Sequence, residues 1–318
     1  MSGNAPAMKN NTTWSLEVRT AGVLTSGRWL RLRAVLWAAL LSAGAMAFFL
    51  ATQYAEPWLH LPANSSYAVV LGIPLLAFVA YTVVVRAAEA RAAVEVLPVA
   101  GMLTDILIGA ALGFAMLCTM TALLWSLGLY HVQLNHWTRV FDSFVFDSYL
   151  SGLMEELLFR AILLRILARA FGNRWGLLLS AVLFGLAHLS HGSWLAATEI
   201  TINAGLTIGL VYMATGRLWM SIGLHTGWDF TEDSLLGVNN HNGLLLSTPV
   251  PGKSDLLTGG SFGPDASVLA TLVGILAVIA IVSAHMRGLF ERTQIAAHES
   301  SSSPSGVYLN PPLMPKQP

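Results

Sequence analysis

Residues 267–286 read Ser-Val-Leu-Ala-Thr-Leu-Val-Gly-Ile-Leu-Ala-Val-Ile-Ala-Ile-Val-Ser-Ala-His-Met, with no Asp, Glu, Lys or Arg among them. A helix needs about 20 predominantly apolar residues to cross the hydrocarbon of a bilayer, and this stretch has that length and character. Seven further runs of the same kind precede it: Ala34–Thr52, Tyr67–Val85, Ile106–Tyr130, Val145–Ile166, Trp175–Leu189, Leu195–Ala214 and Leu218–Leu236. The fifth is short, and the fourth and seventh contain acids, but all three sit between clear spans. The sequence predicts an all-α, polytopic transmembrane bundle of about eight helices. Composition agrees. Of the 318 residues, 55% are hydrophobic and 11% charged, against about 25% charged in soluble domains. So small a charged fraction cannot cover a surface facing water, and the lipid bilayer is the expected partner. Zero net charge gives no basis for binding nucleic acid.

Orientation follows from Lys and Arg, which accumulate in cytoplasmic connections. Lys9, Arg19, Arg28, Arg31 and Arg33 precede the first span. Arg86 and Arg91 follow the second, Arg165, Arg169 and Arg174 the fourth, and Arg217 the sixth. Arg287, Arg292 and Lys316 follow the last, whereas the opposite connections hold only Arg139 and Lys253. Eight spans alternate without conflict, so both termini are predicted to be cytoplasmic; in a bacterium the membrane would be the plasma membrane. Met1 to about Thr25, and Ser300–Pro318, read as poorly ordered tails. Gly109/Gly113 and Gly205/Gly209 each place two small residues four apart, either to let backbones approach closely or as ordinary glycines of a membrane helix. The connection from Gly237 to Ala266 is rich in Gly and Pro. It is either a cover for a site or simply a loop.

Ionisable groups inside spans cost several kcal/mol each and mark function by default. The fourth span contains Glu155, Glu156 and Arg160, the fifth His188, and the seventh His225 and Asp229. Glu156 and Arg160, four apart, share a helix face and can pair. Glu155 lies about 100° around the helix, so one acid is neutralised and the other is left available. Phe184/His188 and His225/Asp229 share faces in the same way. An imidazole and carboxylate four apart can bind a metal, form an oriented pair or make a simple polar contact. One activated carboxylate, two histidines and a further carboxylate suffice to hold and deprotonate a water and to stabilise an oxyanion. A peptide bond near a helix end is the obvious target in a membrane. A structural ion-pair cluster is the competing reading of the same residues. Glu199 and Asn203 share a face of the sixth span and could support the site. Glu232 and Asp233, near the far end of the seventh, read as solvated, and Trp219 and Trp228 as packing or interfacial aromatics.

Glu155-Glu156-xxx-Arg160, Phe184-xxx-His188 and His225-xxx-Asp229, in this order on successive helices, resemble the three motifs of the CPBP family. These are the CAAX-protease and bacteriocin-processing proteins, also called Abi proteins. The resemblance covers about Leu150 to Leu236. It implies an intramembrane metalloendopeptidase acting on a peptide or membrane-protein substrate. It further implies that Glu155 and His188 activate the water, that His225 and Asp229 bind a metal or stabilise the oxyanion, and that Glu156 and Arg160 hold the helix. The ligand set so implied is Glu155, His188, His225 and Asp229, for a divalent metal, zinc foremost. The family often has Asn where this chain has Asp229. An ionised Asp cannot donate to an oxyanion, so Asp229 favours metal ligation or must be protonated. A non-enzymatic immunity or scaffold protein, and a proton-coupled transporter, are the other functions compatible with buried acids. The organisation expected is an N-terminal tail at 1–33, a transmembrane domain at 34–287 with its catalytic core at 145–236, and a C-terminal tail at 288–318.

Overall fold

The computed structural model describes Leu16 and residues 22–290 apart from 60–62, 98, 137–138, 191 and 239–241. Most of both expected tails, and His191, lie outside the described residues. Eight long helices run through the described residues: α1 Leu30–Leu59, α2 Ala63–Ala88, α3 Met102–Ser126, α4 at 140–171, α5 Asn173–Ala187, α6 Trp194–Thr215, α7 at 218–235 and α8 Val268–Met286. They fall where the eight apolar runs predict them. Five of them, α1, α2, α3, α6 and α8, are long and apolar enough by themselves to cross a membrane. The remaining three are the helices that carry the acids and histidines, plus the short α5.

Burial divides the helices into two kinds. The apolar stretch of α1 is 17% buried and that of α6 is 67% buried. Leu36 and Leu40 of α1, Leu75 and Val79 of α2, Leu107 of α3 and Leu276 of α8 are exposed. On a chain with so few charged residues these faces meet lipid, where helices with internally satisfied backbones are stable. The helices α4, α6 and α7 form the interior.

The protein interior has two apolar centres. One joins α1, α2 and α4 to the α6–α7 turn through Ala38, Phe78, Leu157, Ile162 and Tyr212. The other joins α3, α6, α7 and α8 through Leu117, Met120, Val211, Leu224 and Val273. The tightest crossing is α3 on α7. A Cβ on Gly109 or Gly113 would strike the backbone of Met220, Leu224 or Trp228, and one on Gly223 or Gly227 would strike Ile106 or Ala110. The Gly109/Gly113 pair is thus an interface, and its partner is a second small-residue pair on α7. Without a hydrophobic force between helices in lipid, this backbone proximity and its van der Waals contact hold the pair. Gly113→Ile is expected to cost about 1–3 kcal/mol or more through overpacking. It should lower the thermal midpoint in detergent, whereas Gly72→Ala, which meets nothing within 4 Å, should not.

Three features depart from the sequence expectation. A two-stranded antiparallel ribbon, β1 Tyr130–Leu134 with β2 Leu245–Pro249, pairs Tyr130 with Pro249 and Leu134 with Leu245. It ties the α3–α4 connection to the α7–α8 connection, and marks what is here called the ribbon end of the bundle. At the opposite end, several Arg residues read as loop charges are buried and paired. Arg91 bonds Glu89 and Glu95, Arg165 bonds Glu89 at 2.6 Å, and Arg217 pairs with Asp105 at 3.2 Å. Burial pushes the Glu95 carboxyl up, but Arg91 and Arg165 outweigh it and hold the group at about 2. Leu24, expected in the tail, is fully buried against the core.

Candidate active site

Glu155 and Glu156 sit mid-way along α4, immediately before a wide π-helical stretch, Leu157–Leu164. Such i→i+5 turns re-aim side chains and concentrate at functional sites. Glu156 is fully buried. It pairs with Arg160 at 3.0 Å, as the spacing predicts, and also accepts a hydrogen bond from His225 Nδ1 at 2.8 Å. The second contact joins α4 to α7 and was invisible in the sequence. The neutralised acid is therefore also the group that orients an imidazole, leaving His225 Nε2 to face Asp229 Oδ2 at 3.7 Å.

Phe184 is the hub. Its ring lies 4.9 Å from the His188 ring and 5.7 Å from the His225 ring, edge-on to the latter, and the Arg160 guanidinium stacks over it at 4.4 Å. His188 occupies the one-turn 3-10 helix that follows α5, and its Nδ1 lies 2.9 Å from the Phe184 carbonyl oxygen. A carbonyl only accepts, so Nδ1 carries the proton and the neutral ring offers Nε2 as its basic nitrogen.

Glu155, His188, His225 and Asp229 line one cavity of about 310 Å³, with Ser151, Phe184 and Trp228 among its walls. All four water- or ligand-binding candidates are thus brought together. One oxygen of the available acid, Glu155 Oε2, is buried and without a hydrogen-bond partner. Ser151 donates to Asp229 Oδ2. Sequence reasoning passed over it, although it sits four residues before Glu155 on the same face of α4. Gly152 lets α4 and α7 approach, since a Cβ there would meet the Thr226 hydroxyl.

Two further expectations are corrected or resolved. Glu232 and Asp233, read as solvated, line the cavity, and Glu232 is buried. They follow Asp229 by three and four residues and so share its face of α7. The end of the connection from Gly237 to Ala266 reaches the site: Phe262 stands 6.5 Å from His188, and Phe262 and Asp265 both line the cavity. Asn203 of α6 fastens it by donating to the Asp265 carbonyl, and its partner on the shared face, Glu199, is buried but does not reach the cavity. Trp228 packs into the cavity wall and Trp219 stacks on Phe78, as packing aromatics.

Glu155, His188, His225 and Asp229 are the donors a divalent metal would use. Nδ1 of each histidine is committed, to Phe184 O and to Glu156, which leaves Nε2 as the nitrogen a metal would use; what is missing is convergence. Among the described residues no three His, Cys, Asp or Glu side chains gather at ligand spacing. The side chains as placed do not fit a metal ion, and no step below passes through one.

The fold and cavity define a helical membrane protein with a buried carboxylate–imidazole site. Residues 137–231 match the family model described as type II CAAX prenyl endopeptidase Rce1-like. The match spans all three motifs, so the likeness to the CPBP and CAAX-protease family is shown for the segment that builds the site. No curated protein and no solved structure matches the chain.

Proposed function

We propose that the chain is an intramembrane endopeptidase in which Glu155 is the general base. The observation that carries this is the unpartnered, buried oxygen of Glu155 in the cavity that also holds both histidines and Asp229. A carboxylate so placed takes a proton from a water as the water oxygen attacks the scissile carbonyl carbon. His188 Nε2 is a second acceptor for that water. The developing oxyanion needs a donor. With Nδ1 given to Glu156, His225 donates from Nε2 as the imidazolium, and a protonated Asp229 carboxyl could donate beside it. The proton held by Glu155 then passes to the leaving nitrogen, the C–N bond breaks, and a carboxylate and an amine result. Arg160, stacked on Phe184 and paired with Glu156, fixes the ring wall between the two histidines.

The test is cleavage of a membrane-anchored peptide by the purified chain in vesicles made with ¹⁸O water. Hydrolysis places one ¹⁸O in the new carboxyl terminus of the product. Absence of cleaved product across a broad panel of apolar peptides would overturn the reading. A strong chelator is expected to leave the rate unchanged, checked alongside metal content of the purified protein. Loss of activity restored by zinc would return the four expected ligands to a metal.

A further inference from the structure

The cavity wall carries more carboxyl groups than hydrolysis requires. Six carboxyl groups line it, Asp147, Glu155, Asp229, Glu232, Asp233 and Asp265, and among the described residues no Lys or Arg does. The proposed chemistry uses two of them. Asp265 is outside that chemistry: it lies on the α7–α8 connection, is 6% exposed, and its Oδ1 has no hydrogen-bond partner. Burial pushes the Asp265 carboxyl up to about 7, because a buried acid without a partner holds a proton unless a cation is brought to it; a carboxyl oxygen left bare in a cavity wall marks where a cation or a donor from outside is received.

The distribution of the acids decides what kind of cation. They come from α4, α7 and the α7–α8 connection, and no three of them converge at ligand spacing among the described residues. A single metal ion needs convergence. A long, flexible side chain with a terminal ammonium or guanidinium does not, because its apolar stem can lie on an apolar wall while its head meets the acids. The cavity supplies that wall through Leu150, Ile200, Ile208 and Phe262. Glu232 and Asp233 follow Asp229 by three and four residues on α7, about 4.5–6 Å along a helix. That is the reach of one to two residues of extended peptide.

We propose that the site selects peptides bearing a Lys or Arg within about two residues of the scissile bond, its head held by the Asp265 side of the cavity. This rests on the hydrolase reading and names its substrate class. Opposite charges across a site set specificity, and the acids would disfavour an acidic residue there by the same means.

The experiment uses the full chain in vesicles and matched apolar peptides that carry Lys, its uncharged isostere norleucine, or Glu at each of the two positions on either side of the bond. Norleucine is favoured by an apolar wall, which makes the comparison stringent. Wild type is expected to show kcat/KM at least ten-fold higher for a Lys peptide than for its norleucine twin, with Glu lowest. Asp265→Asn should bring that ratio close to one, a change that general damage to the enzyme would not produce, and Asp265→Lys should favour the Glu peptide. Binding of the same peptides to Glu155→Gln, read by fluorescence anisotropy, separates the two claims. Lys preference in binding without cleavage by wild type sinks proteolysis and keeps cation selection. Cleavage with Lys and norleucine peptides treated alike keeps proteolysis and sinks cation selection. Stoichiometric calcium binding that displaces the Lys peptide would make the acids a metal site and also overturn the proposal.

Discussion

Glu155→Gln is expected to reduce peptide cleavage by about 10²–10⁴-fold, the range of a positioned general base, with the protein inserted and accumulated as wild type. Gln keeps the size of Glu and can still hold a water, but its amide cannot accept the proton from it. The cavity, the Glu156–His225 bond and the Phe184 stack do not depend on Glu155, so the fold should stand. Thermal midpoint in detergent and cleavage rate, measured on the same preparation, separate the two effects. A variant that cleaves at the wild-type rate would return the site to the immunity or scaffold reading. Glu156→Gln makes the informative contrast. It leaves Arg160 buried without its carboxylate, and loosens the imidazole that Glu156 orients, so it should lose stability as well as rate.

Arg165→Met is expected to destabilise the end opposite the ribbon by about 3–5 kcal/mol, the usual cost of removing one partner from a buried ion pair. Arg165 bonds both oxygens of Glu89 and approaches Glu95 at 3.6 Å, while Trp37 and Arg91 complete the cluster. Removing it leaves two carboxylates to share Arg91. The pH dependence has a defined sign. Glu95 is held at about 2 against an ordinary 4.5. A depressed acid gives stability that is present above its unfolded value and lost as pH falls through its folded one. The gap between wild type and Arg165→Met should therefore be full above about pH 4.5 and shrink toward pH 2. Unfolding in graded denaturant at several pH values measures it. An unchanged gap at pH 2.5 would show that the loss comes from packing, not from charge.

Both results bear on what a sequence of this kind discloses. Residues 267–286 and their seven counterparts revealed their helices because lipid imposes a single requirement, length of apolar chain, and that requirement is local. Glu156/Arg160, Phe184/His188 and His225/Asp229 were legible for a similar reason. Each pair lies within one helix, and a spacing of four fixes a shared face. The pairing of Glu156 with His225 was not legible, since it joins residues 69 apart on different helices. Ser151 had the right spacing from Glu155, yet a serine in a membrane helix is too common to stand out. Glu232 and Asp233 were misread as solvated because they lie near the far end of the seventh span, although three and four residues after Asp229 they share its face and line the same cavity.

The amino-acid order alone determined that this is a membrane bundle, where each helix runs, and which ionisable groups are buried at a cost that function must justify. Tertiary structure decided which acid is neutralised twice over and which stays bare. It made Phe184 the spacer between two imidazoles, buried Arg91, Arg165 and Arg217 against acids, and brought Phe262 and Asp265 to the cavity wall. The division has one physical cause. Hydrophobic length and helical phase are properties of consecutive residues, whereas the partner of a buried charge depends on which helices the small residues at 109, 113, 223 and 227 allow to touch.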